Sequence, residues 1–383
     1  MVLHPDCEMT SPRFAIRSVQ ALCYRYPLTT PVVTSFGRML TRPAVFVRVE
    51  DEDGYTGWGE VWANFPSNGA EHRARLVNEV LAPAISGFVG SEPFDVFDAL
   101  TQGTSVLALQ SGEPGPFAQA IAGIDLAMWD LCARRRKTAL WKLLGGNRNQ
   151  IRVYASGINP TGSRQMAEAA LSRGHRALKL KIGFDLATDR TNLGSLRQLV
   201  GDGMLAADAN QAWSTQQALD LVPRLCEFGL AWLEEPIRAD ETWQQWQRLR
   251  KAADVPLAAG ENIASKAGFE RVLGDDVLSF VQPDIAKWGG LSVCSGIAKD
   301  ILNSGKIFCP HYLGGGIGLL ASAHLLAGAG GEGLLEIDSN DNPLRDLLCG
   351  SVADVRDGMV TLSDDPGIGI EPDLSSIERY RTA

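Results

Sequence analysis

Lys181, Asp208, Glu234, Glu261, Asp284, His311 and Glu336 recur through the second half of the chain at separations of 27, 26, 27, 23, 27 and 25 residues. Asp208, Glu234 and Glu261 would repel one another strongly at a common point unless a cation neutralised them. An all-oxygen donor set without Cys or His favours Mg2+, with Mn2+ as the alternative, over Zn2+, and leaves coordination positions for water and substrate oxygens. Glu235 precedes Pro236 and points to the other side of its strand, so it reads as a supporting residue and not as a ligand. Asn210, two residues beyond Asp208, shares its face and is placed to contact substrate or a water on the metal.

Lys179 and Lys181 flank Leu180, so on a strand both ammonium groups face the same way. Each disfavours the other's charge, and a metal beside them adds to the effect. Bringing a lysine from its ordinary pKa of about 10.4 to neutrality takes about 4 kcal/mol of differential interaction, and a doubled lysine beside a metal is a source of it. His311 follows Pro310, and Asp284, one repeat earlier, stands where it would fix the imidazole tautomer and stabilise the imidazolium, as an acid or base requires. Glu336 adds a further donor if protonated.

Such residues act together only if the elements carrying them converge. Short apolar strand candidates alternate here with longer helical stretches: "RVYASGI", "RALKLKI", "MLAADAN", "LAWLEEP", "PLAAGEN", "FVQPDIA", "KIFCPH" and "LLEID". Eight strands with chemistry at one phase predict consecutive βα units closed into a barrel, with the site on the rim at the strand C-termini. Strands two and seven lie on opposite sides of that ring, so the lysines and His311 would face a substrate from opposite sides.

Upstream, "FAIRSVQALCYRY" and "AVFVRVEDEDGYTGWGE" read as strands separated by the polar segment Thr29 to Thr41. Helical spacing follows from Glu71, clearest where Ile121, Ile124, Ala127, Met128 and Leu131 recur, and Leu143 to Gly146 closes the region with a C-cap signal. This predicts an α+β first domain ending near residue 145. After Pro343 the tail, with "GMVTLSDDPGIGI", returns to β and turn character and is expected to complete that first domain.

Of 383 residues, 45% are hydrophobic and 21% charged, which excludes disorder and small disulfide scaffolds. The net charge of -9 argues against a nucleic-acid partner; the one basic run, Arg134 to Lys137, reads as cations at a helix C-terminus. Cys7, Cys23, Cys132, Cys226, Cys294, Cys309 and Cys349 are odd in number and scattered, which points to a reducing cytoplasm. The N-terminus has no apolar leader, and no apolar run is long enough for a membrane span.

Taken in order, "GWGE", "GIDLAMWDL", "KLK", "DAN", "WLEEP", "GEN", "QPDIAKWGG", "PH" and "LLEIDSNDNPLRD" resemble the enolase superfamily, specifically its mandelate racemase subgroup. The resemblance implies a (β/α)7β TIM-type barrel over residues 146–345 beneath an α+β cap of residues 1–145, completed by residues 346–383. It implies a homo-oligomer, a small-molecule carboxylate substrate, and abstraction of the proton α to that carboxylate to give an enediolate with Mg2+, a chemistry established for enolase-superfamily sites. By motif position Asp208, Glu234 and Glu261 would hold the metal, and Lys181 would be one base with Lys179 its partner. His311 with Asp284 would be the opposing acid or base, and Glu336 would hydrogen-bond the substrate carboxylate. Muconate-cycloisomerase and dipeptide-epimerase branches carry a base lysine where this chain has Asp284; the nearby Lys287 falls on a non-catalytic position.

Dehydration of an acid sugar, an aldonate or aldarate, is the first expectation. Racemisation or epimerisation of a 2-hydroxy acid and cycloisomerisation of an aldarolactone are alternatives with the same first step. A sugar-phosphate barrel, with Gly314, Gly315 and Gly316 around a phosphate, is a more distant one. Specificity is expected in cap loops around Thr34 to Leu40 and Trp62 to Asn68, with Arg38 and Asn64 contacting the far end of the substrate and Trp288 and Tyr312 either shaping the pocket or packing.

Overall fold

A computed structural model describes residues 13–35, 37–252 and 254–382. Met1 to Pro12, with Cys7, and Phe36 in the Thr34 to Leu40 segment lie outside the described residues.

The first half forms an antiparallel sheet of β1 (Phe14–Thr34), β2 (Gly37–Asp51), β3 (Thr56–Val61) and β4 (Val89–Gly90), in the order β3-β2-β1-β4. The polar segment Thr29 to Thr41, expected to separate two strands, is instead largely strand itself. Val32, Val33 and Thr34 pair with Met39, Arg38 and Gly37, so β1 and β2 make one long hairpin. A bulge between the Pro27–Thr41 and Val32–Met39 pairs breaks the alternation of faces along its tip. The apolar helix Pro114–Arg135 lies directly on this sheet. A Cβ at Gly59 would fall 2.1 Å from the Gly123 carbonyl oxygen, so only glycine permits that approach.

Beyond it run the eight parallel strands that the spacing predicts: β5 (Gln150–Ile158), β6 (Ala177–Lys181), β7 (Met204–Asp208), β8 (Leu233–Glu234), β9 (Leu257–Ala259), β10 (Leu278–Val281), β11 (Ile307–Phe308) and β12 (Leu334–Asp338). They pair in the order β11-β10-β9-β8-β7-β6-β5-β12, a nearly closed TIM-type barrel with a helix between each consecutive pair. The tail first adds β13 (Met359–Thr361) antiparallel to the start of β5, and then runs to the cap, where Arg381 bridges Tyr24 and Ile368 N donates to Asp130. The basic run ends the helix Pro114–Arg135, as read, with Arg134 paired to Asp130 and Arg135 to Asp51.

A layer of buried side chains, one from each strand or the residue flanking it, plugs the barrel: Tyr154, Ala177, Ala206, Trp232, Ala258, Phe280, Cys309 and Leu334. Large and small residues largely alternate around the ring, as tapered barrel interiors require. Two residues further along the same faces come Lys179, Asp208, Glu234, His311 and Glu336, so an ionic layer sits on an apolar floor. The cap closes over it and is latched to barrel helices by two carboxylates. Glu60 on β3 accepts from Gly315 N (2.5 Å) and Gly318 N (2.9 Å) at the start of helix Gly316–Ala329. Asp125 accepts from Ser292 N (2.9 Å) at the start of helix Gly290–Asn303. Among the described residues no helix is long and apolar enough to cross a membrane, and the six described cysteines are free.

Candidate active site

Parallel pairing sets Lys181, Asp208 and Glu234 side by side on β6, β7 and β8, with Glu261 just past the end of β9. Lys179 Nζ is buried between Glu234 Oε1 (2.7 Å) and Glu336 Oε1 (2.8 Å), with Asp208 Oδ2 at 4.0 Å and the Tyr154 ring beneath it. Lys181 Nζ donates to Asp208 Oδ2 (3.0 Å) and Asn210 Oδ1 (2.6 Å). Across the ring, His311 is held at both nitrogens, Nδ1 to Asp284 Oδ2 (2.7 Å) and Nε2 to Glu261 Oε2 (2.5 Å).

Expected pKa directions change in two places. The lysine pair is not brought down in this arrangement: burial works to lower both ammonium groups, but carboxylates outweigh it. Glu234 and Glu336 hold Lys179 well above the usual lysine range, and Asp208 raises Lys181. Nor is Glu336 a protonated donor. Burial would raise it, yet Lys179 and His311 pull it down to about 2, and it accepts from Ser156 Oγ and Tyr312 N. Burial would lower His311, but Glu261 and Glu336 raise it well above the ordinary value, which favours the imidazolium form. Burial, and then Glu261 beside it, push Glu235 well above the usual carboxylate range; its oxygens accept from Asn262 Nδ2, which also donates to Glu261 Oε1 (3.0 Å).

Asp208, Glu234 and Glu261 do not form a ready-made cage. Each faces its own cation, and among the described residues no three His, Cys, Asp or Glu side chains stand in a metal-holding arrangement. The donor chemistry nevertheless fits a hard divalent ion. Within the ring five carboxyl groups, Asp208, Glu234, Glu261, Asp284 and Glu336, face three basic groups, Lys179, Lys181 and His311, a formal excess of two acidic groups. All the acceptors are carboxylate oxygens on neighbouring strand ends.

A cleft opens between this ring and the cap, bounded by Lys181, Asn210, Glu261 and His311 below and by Met39, Trp62, Asn64 and Phe65 above. Both cap segments singled out in the sequence reach it. Asn64 lines it and donates to the Leu313 carbonyl (2.5 Å). Arg38 does not: it is exposed on the outside of the hairpin. Trp288 lies away from the cleft and packs on Phe269, and Tyr312 is buried against Glu60, so both pack. Residues that spacing alone missed also line it: Arg42, Lys287, Asn262, Asp338 and Asn340. Asn262 and Asp338 follow the phased residues by one and two positions, a signal the sequence did carry. Arg42, a lone charge in the apolar run of β2, carried a weaker one.

Such a ring of lysine, carboxylate and histidine at the mouth of a (β/α)7β barrel, under a cap made from both ends of the chain, defines a class of enzyme. A family profile described as enolase C-terminal domain-like matches residues 163–376, and one described as mandelate racemase / muconate lactonizing enzyme, N-terminal domain, matches residues 16–145. The chain belongs to the mandelate racemase/muconate lactonizing enzyme family of the enolase superfamily. A solved structure of a mandelate racemase/muconate lactonizing enzyme from Bordetella bronchiseptica RB50 is 48% identical, with TM-score 0.91, covering 96% of this chain and 100% of that one. D-galactarolactone cycloisomerase of Agrobacterium fabrum is 29% identical over 96% of this chain and 98% of its own length. L-talarate/galactarate dehydratase of Salmonella typhimurium is 30% identical over 90% and 85% respectively. A Streptomyces coelicolor racemase solved with bound magnesium is 26% identical, with TM-score 0.84, over 96% of this chain and 100% of that one.

Proposed function

We propose that this enzyme dehydrates an acid sugar, with Lys181 taking the proton α to the carboxylate and His311 assisting departure of the β-hydroxyl. The observation that carries this reading is the opposition of Lys181 on β6 to His311 beyond β11, both bordering one cleft. Asp208, Glu234 and Glu261 would hold Mg2+, and the magnesium-bound racemase supports that choice. When bound, the ion supplies positive charge that offsets the three carboxylates and the charge developing on the substrate carboxylate. Asp208, once engaged there, no longer raises Lys181, while burial and Lys179 both act to lower it toward a base. His311 is held as an acid by Asp284 and Glu261, and donates from Nε2 once Glu261 turns to its other role. Glu336, ionised and braced by Ser156, holds the Lys179 ammonium in the ring beneath the cleft. Asn210 and Asn64 contact the substrate from the two sides of the cleft. The division into a cap of residues 1–145 with 346–383 and a barrel of residues 146–345 belongs to the same reading, as do a cytoplasmic setting and assembly into a homo-oligomer.

The test is a panel of aldonates, aldarates and aldarolactones with Mg2+ in deuterated water, read by product mass. Dehydration loses water and places one solvent deuteron at C3 of the resulting 3-deoxy-2-keto acid; a product of unchanged mass apart from deuterium indicates racemisation or cycloisomerisation instead. His311→Asn should stop product formation while Lys181-dependent α-exchange persists. Loss of both would make His311 the abstracting base, and no exchange with any compound would overturn the reading.

A further inference from the structure

Arg42 comes from the cap strand β2 yet is only 2% exposed, and it borders the cleft. Its Nη2 pairs with Asp338 Oδ2, its Nη1 meets only the Met39 sulfur at 3.2 Å, and its Nε has no hydrogen-bond partner among the described residues. A buried guanidinium with one oxygen acceptor for three nitrogens is under-satisfied, since sulfur is a weak acceptor and a buried donor left unpaired is costly. Asp338 cannot supply more. Its Oδ2 also faces Arg345 Nη1 at 3.5 Å, and its Oδ1 accepts from Asn340 Nδ2 at 2.7 Å. The arrangement is built into the barrel: at Gly157, where φ is +67°, a Cβ would stand 2.2 Å from Asp338 Oδ1.

Asp338 lies two residues beyond Glu336 on β12, and side chains of that parity share a face. A strand rises about 3.3 Å per residue, so the Arg42–Asp338 layer stands roughly 6 to 7 Å above the ionic ring, toward the cap. A five- or six-carbon acid whose first carboxylate sits at the ring spans that interval with its chain. At the upper layer it meets a guanidinium fork with free donors, the geometry suited to a carboxylate.

We propose that Arg42 binds a second carboxylate at the far end of the substrate, so that the substrate class is dicarboxylic acid sugars and not their monocarboxylic counterparts. This rests on the acid-sugar reading and narrows it. Arg42 takes the role that Arg38, exposed outside the cleft, does not fill.

Calorimetric titration in Mg2+ with three configuration-matched pairs, galactarate with galactonate, glucarate with gluconate and mannarate with mannonate, tests it. The wild-type chain should bind the dicarboxylate of at least one pair tenfold or more tightly than its partner. In Arg42→Met that ratio should fall about tenfold, and Arg42→Lys, which keeps the charge and loses the fork, should lie between. The wild-type ratio needs no variant to fold. If the monocarboxylate of every pair binds as tightly as the dicarboxylate and still exchanges its α-proton, the inference fails and the acid-sugar reading stands. If no acid binds or exchanges, both fail. A ratio unchanged in a folded Arg42→Met also overturns the role given to Arg42.

Discussion

Lys179 has no route to water. Glu234 and Glu336 close on its ammonium group from two sides, the Tyr154 ring lies 5.3 Å away, and Glu234 takes further hydrogen bonds from Gln282 and Trp232. Replacing it with Met leaves two buried carboxylates without their shared cation, and breaking a buried pair in this way costs about 3 to 5 kcal/mol. Urea unfolding of Lys179→Met at pH 7 should show a loss of that size. The pH profile should change as well. Glu336, held at about 2 against an ordinary 4.5, contributes stability that is present above pH 4.5 and lost as pH falls through 2. In the variant that acid-side loss should shrink, and an unaltered profile would remove Lys179 as the group that holds Glu336 ionised. The residues of this cluster were legible because their types and phase stood in the sequence. Their protonation was not: two neighbouring lysines read as mutual depressors until pairing set Glu234, Glu336 and Asp208 against them.

Helix Gly316–Ala329 is apolar and buried around nearly its whole circumference, so its N-terminal amides need partners from the protein. Glu60, at the end of β3, supplies the acceptors. Burial pushes its carboxyl up to about 7, although Gly318, Gly315 and Tyr312 donate to it. A carboxyl raised from 4.5 to about 7 contributes stability that is complete below pH 4.5 and lost as pH rises through 7. At about 1.4 kcal/mol per pH unit, Glu60→Gln should gain on the wild type by roughly 3 kcal/mol across that window in paired urea titrations. Parallel profiles for the two chains would show that Glu60 does not titrate at this contact. At this scale the eight barrel strands and the helix Pro114–Arg135 follow from apolar runs and periodicity. The β1–β2 hairpin tip does not, because polar residues there pair through their backbones, which the alternation of side-chain types does not signal.

Cap and barrel meet over a ring in which negative charges outnumber positive ones, so a divalent cation that binds the folded chain alone should stabilise the whole molecule. At one hundred times its Kd, Mg2+ adds about 2.7 kcal/mol to the unfolding free energy. Thermal unfolding should move upward with Mg2+ concentration in the wild type and far less in Glu234→Gln, which keeps the side-chain volume and removes a charge. A wild-type midpoint insensitive to Mg2+ would show that the excess charge is met by the protein's own cations. The sequence by itself determined the barrel, its phase and the identities of the ring residues, since a strand–helix repeat of nearly constant length places chemistry at one rim whatever the loops do. Only the tertiary structure decided which charges meet. Partners from β8 and β12 enclose Lys179 of β6, and a cap arginine 296 positions from Asp338 completes the far side of the cleft. Local periodicity carries no information about contacts between segments so far apart in the chain, because packing of cap on barrel creates them.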